Sequence, residues 1–165
     1  MGTTRWLDDE EQRTWRAFLG ATQRVREELD RQLQHDAGMP LAYYQILAML
    51  SEAPDRTLTM SRLARTTRSS ASRLSHAVAK LEAKGWVSRC QHPADHRTTL
   101  ATLTDEGFAE LESVAPGHVA QVRRSLFDHL TPEQTAQLHA ICRAVLGDGS
   151  GEAPPSPPPP SSPSE

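Results

Sequence analysis

Cysteine is almost missing from this chain: Cys90 and Cys142 are its only two. They stand far apart and in no metal-binding or redox spacing, so the fold is not a disulfide framework and both thiols are expected to be free. Long apolar runs are missing too. No stretch approaches the roughly eighteen residues a membrane span needs, and Arg5, Asp8, Asp9 and Glu10 deny the N-terminus an apolar signal segment; the expectation is a cytoplasmic protein with no membrane partner. The signatures of catalysis are absent as well. Ser, His and Asp residues are scattered without a nucleophile elbow, no Gly-rich phosphate loop follows a strand, and there is no paired-carboxylate or HExxH pattern. An enzyme is therefore not expected, nor a catalytic residue, a metal or a cofactor. Lysine is limited to Lys80 and Lys84. The resulting arginine bias suits bidentate phosphate and base contacts, but a GC-rich genome produces the same bias.

Acid is scarce in one place only. Between Arg56 and Arg97 nine Lys/Arg stand against Glu82 and Asp95, a local charge of about +7. That leaves about −10 on the rest of a chain whose formal net charge is −3. A basic middle third of this kind attracts polyanions, because it neutralises phosphates and releases condensed counterions.

Periodicity divides the chain into a mainly α fold. Trp15, Phe18, Thr22, Val25, Leu29 and Gln32/Leu33 recur at three-four spacing and make one long amphipathic helix, which Gly38-Met39-Pro40 ends. Tyr43, Ile46, Leu47 and Leu50 mark a second, short helix, stopped by Ala53-Pro54-Asp55. Thr59 caps a third, carrying Met60, Leu63 and Ala64. Ser69 is the expected N-cap of a fourth, whose inward stripe is Ala71, Leu74, Val78 and Leu81, and Gly85 supplies the left-handed residue that terminates it. The third and fourth helices form a helix-turn-helix. Val87–Cys90 and Thr98–Leu103 read as a β-hairpin wing around a polar loop at residues 91–97. Thr104 caps a fifth helix that Pro116-Gly117 is expected to kink or interrupt. Thr131-Pro132-Glu133-Gln134 opens a sixth with a capping box, its buried side being Leu138, Ile141, Val145 and Leu146. From residue 148 to 165 the composition is almost wholly Gly, Pro, Ser and acid, which reads as a disordered tail.

On the fourth helix Ser69, Arg73, His76 and Lys80 fall at i, i+4, i+7 and i+11, a polar stripe opposite the apolar one. Ser69, Ser70 and Ser72 are short and let backbone N–H groups approach phosphate, while Arg73 and His76 are long enough to reach base edges. This face carries no acid, unlike an ordinary solvated one. In the wing, Arg97 suits a minor groove, with Asp95 two residues earlier placed to hold its guanidinium.

These residues resemble the MarR family of bacterial winged-helix transcriptional regulators. The likeness runs from Leu47 through Leu63-Ala64, Leu81-Glu82-Ala83-Lys84-Gly85-Trp86-Val87-Ser88-Arg89, Asp95-His96-Arg97 and Leu103-Thr104-Asp105-Glu106-Gly107 to Leu130-Thr131-Pro132-Glu133. It implies a winged helix domain over residues 1–147. The DNA-binding lobe would occupy about 56–103, and helices in 6–36 and 104–146 would interleave with those of a second copy in a homodimer. It further implies binding to a pseudo-palindromic duplex operator, most simply as a repressor, and release by a small aromatic or phenolic ligand held between the dimer helices and the lobe. Trp15, Tyr43 and Tyr44 are the candidate effector residues, although aromatic residues at helical spacing equally fill a core. The common wing of the family reads Asp-Arg-Arg, and His96 here makes one phosphate contact pH-dependent.

Two other readings stay open. A redox-sensing regulator of the same fold would act through Cys90, beside Arg89 and near His92, or through Cys142 on a dimer helix. A winged-helix protein-interaction module would leave Arg73, His76 and Arg97 without work. His92 and His96, flanking Asp95, fit solvated wing residues better than metal ligands.

Overall fold

The computed structural model describes residues 3–147; the expected disordered tail at 148–165 lies outside the described residues. Helix α1 (Asp9–Ala37) starts at Asp8, whose carboxylate accepts from the Glu10 and Glu11 backbone N–H groups while Glu11 reaches back in a capping box, and it ends at Gly38 with φ 58°. Helix α2 (Leu41–Glu52) follows, and its inner face is almost wholly buried from Tyr44 to Leu50. A single 3-10 turn (Pro54–Arg56) leads into strand β1 (Thr57–Thr59) and helix α3 (Met60–Thr66), capped by Thr59. Helix α4 (Ala71–Ala83) packs Leu74, Ala77, Val78 and Leu81 inward, and Gly85 after it has φ 77°.

The sheet has three antiparallel strands where a two-stranded hairpin was expected. Its order is β1-β3-β2, with β2 spanning Val87–His92 and β3 Asp95–Leu103. Thr57 pairs with Thr102 and Thr59 with Leu100, so β1 covers the edge of β3 that a bare hairpin would leave open. Three residues are too few to show a period of two, so Thr57-Leu58-Thr59 carries no strand signal of its own. The wing is also longer than expected. His92 pairs with Asp95 around Pro93-Ala94, with an irregularity between Gln91 and His92, so Asp95, His96 and Arg97 open β3 instead of lying in a seven-residue loop.

Of the kink or interruption expected at Pro116-Gly117, the interruption does not occur: helix α5 spans Asp105–Ser125 with Pro116 inside it. Proline removes one ladder hydrogen bond, but the second half of the helix packs on α1, where the Ser125 hydroxyl donates to Glu28 at 2.6 Å. At Gly117 a Cβ would come within 3.3 Å of Gln32 and Asp36 on α1, so the two helices approach closely where the chain is weakest. A 3-10 turn (Phe127–His129) and helix α6 (Pro132–Leu146) complete the chain.

The core lies where α2, α3, α4, the sheet and the start of α5 meet; Leu33, Met39, Leu47, Leu50, Leu63, Leu74, Leu81 and Leu111 are its largest fully buried side chains. Helix α6 joins none of it. Its expected inward residues are exposed in the single chain, Ile141 at 59% and Val145 at 75%, and only Leu138 is half-buried. The periodicity of α6 is genuine, but within one chain its apolar stripe has nothing to pack against. The N-terminal half of α1 is in the same position, with Trp15, Phe18 and Leu19 exposed.

Candidate nucleic-acid interface

The turn between α3 and α4 sets where the fourth helix begins. Ser69 N–H is bonded to the Ala64 carbonyl (3.0 Å) and Arg68 N–H to that of Arg65 (3.2 Å), a closure that ties Ser69 to the end of α3. Ser69 is therefore not the N-cap. That role falls to Ser70, whose hydroxyl accepts from Arg73 N–H at 3.3 Å, while the half-buried Ser69 donates to the Thr67 carbonyl. The polar stripe survives without Ser69. Ser72, Arg73, His76 and Lys80 are all exposed on one side of α4, opposite the buried Leu74, Val78 and Leu81.

Both acids of the basic segment are held by internal partners. Glu82 accepts two hydrogen bonds from Arg89, at 2.9 and 2.6 Å, and those bonds hold its carboxyl below the ordinary range. Asp95 accepts from the Thr98 hydroxyl (2.8 Å) and from Arg97 N–H (3.1 Å), and these two bonds, the first above all, lower its pKa. The Arg97 guanidinium lies 3.5 Å from the same carboxylate, with its side chain 95% exposed. Asp95 thus orders the wing backbone first and restrains Arg97 second. His96 is exposed beside it. His92 accepts a bond from Ala94 N–H through a ring nitrogen, which gives it a turn-forming role.

Other cations are committed to the fold. Arg56 pairs with Asp105 at 3.0 Å and lies 3.9 Å over the Phe108 ring, and the Lys84 ammonium sits 4.3 Å over Trp86. Among the described residues no three His, Cys, Asp or Glu gather into a group that could hold a metal ion, and no helix is long and apolar enough to cross a membrane.

Of the candidate effector residues, Tyr44 is buried and Tyr43 half-buried on α2, and Trp15 lies apart from both. Trp15 stacks on Phe18 and lines a surface groove with Trp6, Leu7, Gln12 and Arg16. It stands about 27 Å along α1 from Leu33, at 1.5 Å per residue. Tyr44 is buried, with its ring centroid 4.1 Å from that of His118 on α5. The Tyr44 hydroxyl, His118 Nδ1 and Gln32 Oε1 are all buried without a hydrogen-bond partner among the described residues. Burial pushes Tyr44 up to about 12 and His118 down to about 4. Sequence reading missed Gln32 and His118, because a polar residue on an apolar stripe gives no sign of whether its partner is present. Cys90 on β2 and Cys142 on α6 are both free and exposed.

The family profile described as MarR matches residues 37–98, the span from the end of α1 to the wing. A solved MarR family transcriptional regulator of Streptomyces coelicolor, Sco3205, in complex with DNA, is 48% identical over 92% of this chain and 98% of its own, with a TM-score of 0.84. The chain belongs to the MarR family. It is a MarR-family transcriptional regulator with a mainly helical winged helix fold. AbsC, another MarR family regulator of S. coelicolor, is 37% identical over 90% of this chain and all of its own, with a TM-score of 0.82. The HTH-type transcriptional repressor YetL of Bacillus subtilis is 32% identical over 52% of this chain. The chain spans about half the length of the curated relatives it matches.

Proposed function

We propose that this MarR-family regulator binds a pseudo-palindromic operator as a homodimer, represses from it, and is released by a small aromatic or phenolic anion. The observation that carries the DNA reading is the acid-free exposed face of Arg73, His76 and Lys80 on α4, beside a wing that presents Arg97. Long donors on such a face suit base edges in a major groove, and an exposed arginine on the wing strand next to the hairpin turn suits the adjoining minor groove. The solved relative bound to DNA supports the same reading, and repression is the role printed for YetL. The dimer reading rests on the uncovered apolar residues of α1 and α6. Two symmetry-related lobes would then place half-site centres about 10 bp apart. The effector reading rests on the partnerless buried atoms of Gln32, Tyr44 and His118 where α1, α2 and α5 meet, since buried polar groups ordinarily have partners.

Selection from random duplexes followed by footprinting tests the central claim. The expected result is an inverted repeat protected by a dimer, with affinity falling steeply as salt rises. A monomer on a non-palindromic site, or affinity indifferent to ionic strength, overturns it.

A further inference from the structure

Three non-glycine residues among those described have left-handed backbone: Asp55 (φ 52°), Arg56 (φ 52°) and Arg68 (φ 51°). Side chains other than glycine are disfavoured there, so each such residue persists only where its surroundings over-determine it. The first two have visible compensation inside the chain. The Asp55 carbonyl accepts from the Thr57 hydroxyl at 2.9 Å, and the Arg56 guanidinium is held by Asp105 and by the Phe108 ring.

Arg68 has none. It occupies the left-handed position that closes α3, the place glycine ordinarily takes in this kind of helix end. The closure uses only its backbone. Its side chain is exposed and makes no hydrogen bond, ion pair or ring contact among the described residues, so nothing within the fold favours arginine over glycine there. Its place in the molecule is informative. Arg68 stands two residues before the Ser70 cap of α4, with Arg65 before it and Ser72 and Arg73 after it, and no Asp or Glu occurs between Arg56 and Lys80.

We propose that Arg68 is a DNA-contacting residue whose guanidinium binds a backbone phosphate beside the groove entered by α4, and that the strained turn is kept because it presents this cation. The proposal rests on the DNA interface argued above. A phosphate contact carries affinity without sequence information, so Arg68 would act on any duplex, whereas Arg73 would discriminate.

The test uses the full chain with an operator recovered by selection from random duplexes and with a scrambled duplex of equal length, followed by fluorescence anisotropy across a salt series. Arg68→Gly removes the charge and relieves the backbone, so it should melt about 1–3 °C higher yet bind both duplexes more weakly. Losing one phosphate contact in each half of the dimer flattens the slope of log K against log salt by about 1.8. Between 50 and 200 mM salt the wild type would therefore lose about twelvefold more affinity than the variant. Arg68→Lys, which keeps the charge, should retain the wild-type slope. An unchanged slope in Arg68→Gly overturns the proposal, as does a lower melting temperature, which would mean that the arginine stabilises the fold. Arg73→Ala separates the two levels of argument. If it loses operator discrimination while Arg68→Gly binds like wild type, only the Arg68 assignment fails; if both bind like wild type, the α4 face itself is misassigned.

Discussion

Arg73 and His118 stand at opposite ends of what a side chain does in this fold. Arg73 is exposed on the acid-free face of α4, and its type and spacing were legible in the sequence because an amphipathic helix announces its outer face. Arg73→Ala should lose about 1–3 kcal/mol of discrimination at one position of each half-site, measured by titrating the variant against operators substituted base by base; equal loss at every position would assign it to phosphate. His118 was not legible. Its role depends on α1 and α2 arriving against α5, and no local pattern encodes that. Held neutral by burial, with a pKa of about 4, it takes up a proton in the unfolded chain before it does so in the folded one. Its contribution to stability is therefore complete above about pH 6.5 and is lost as pH falls from there to about 4, by up to about 3 kcal/mol. Urea denaturation from pH 7 to pH 4.5 should reveal this loss. His118→Phe should show a shallower decline over the same range, and an equal decline would place the titration elsewhere.

At the scale of elements, reading was surest where a period repeats. The caps at Thr59, Thr104 and Thr131 and the stripes at Leu29 and Leu33 of α1 and at Leu74, Val78 and Leu81 of α4 are single-element properties with counterparts in the fold, whereas Trp15, Phe18 and Ala71 of the expected stripes are exposed. The misplacements share a different cause. Ser69 lost the cap to Ser70 because the turn is closed from α3, β1 is defined by its pairing with β3, and Pro116 is carried through by packing against α1. All three are decided by a neighbour. Gly107 is the clearest case of a neighbour fixing a residue. The Thr104 hydroxyl donates to the Gly85 carbonyl at 2.6 Å and accepts from Gly107 N–H at 3.0 Å, which draws the start of α5 onto the end of α4. A Cβ at Gly107 would collide with the Trp86 carbonyl oxygen. That close approach gives the Leu-Thr-x-x-Gly run its physical reason. Gly107→Ala should destabilise the fold by about 1–3 kcal/mol through overpacking against a backbone that cannot easily shift, measured as a lower denaturation midpoint at unchanged m-value. A neutral substitution would show that α5 slides freely on the lobe.

The whole molecule is divided by charge and by cover. Its basic middle third faces outward from an apolar core, while apolar residues at its two ends, Trp15, Phe18, Ile141 and Val145 among them, remain exposed in one chain. Fully burying a large apolar side chain is worth about 1.5–3 kcal/mol, so a second copy covering α1 and α6 would gain far more than either helix keeps alone. Deleting residues from Pro132 onward should accordingly leave a monomer or an aggregate with weakened operator binding, because two half-sites are no longer held by one particle. Deleting residues from Gly149 onward should change neither oligomeric state nor affinity, since that segment has almost no apolar side chain to add to a core and its acids do not favour DNA. Light scattering on the two truncations, with operator titrations beside it, decides between these roles. A tail deletion that dissociates the dimer would move the assembly determinant out of α6, and an α6 deletion that stays dimeric and binds normally would mean that α1 and α5 suffice.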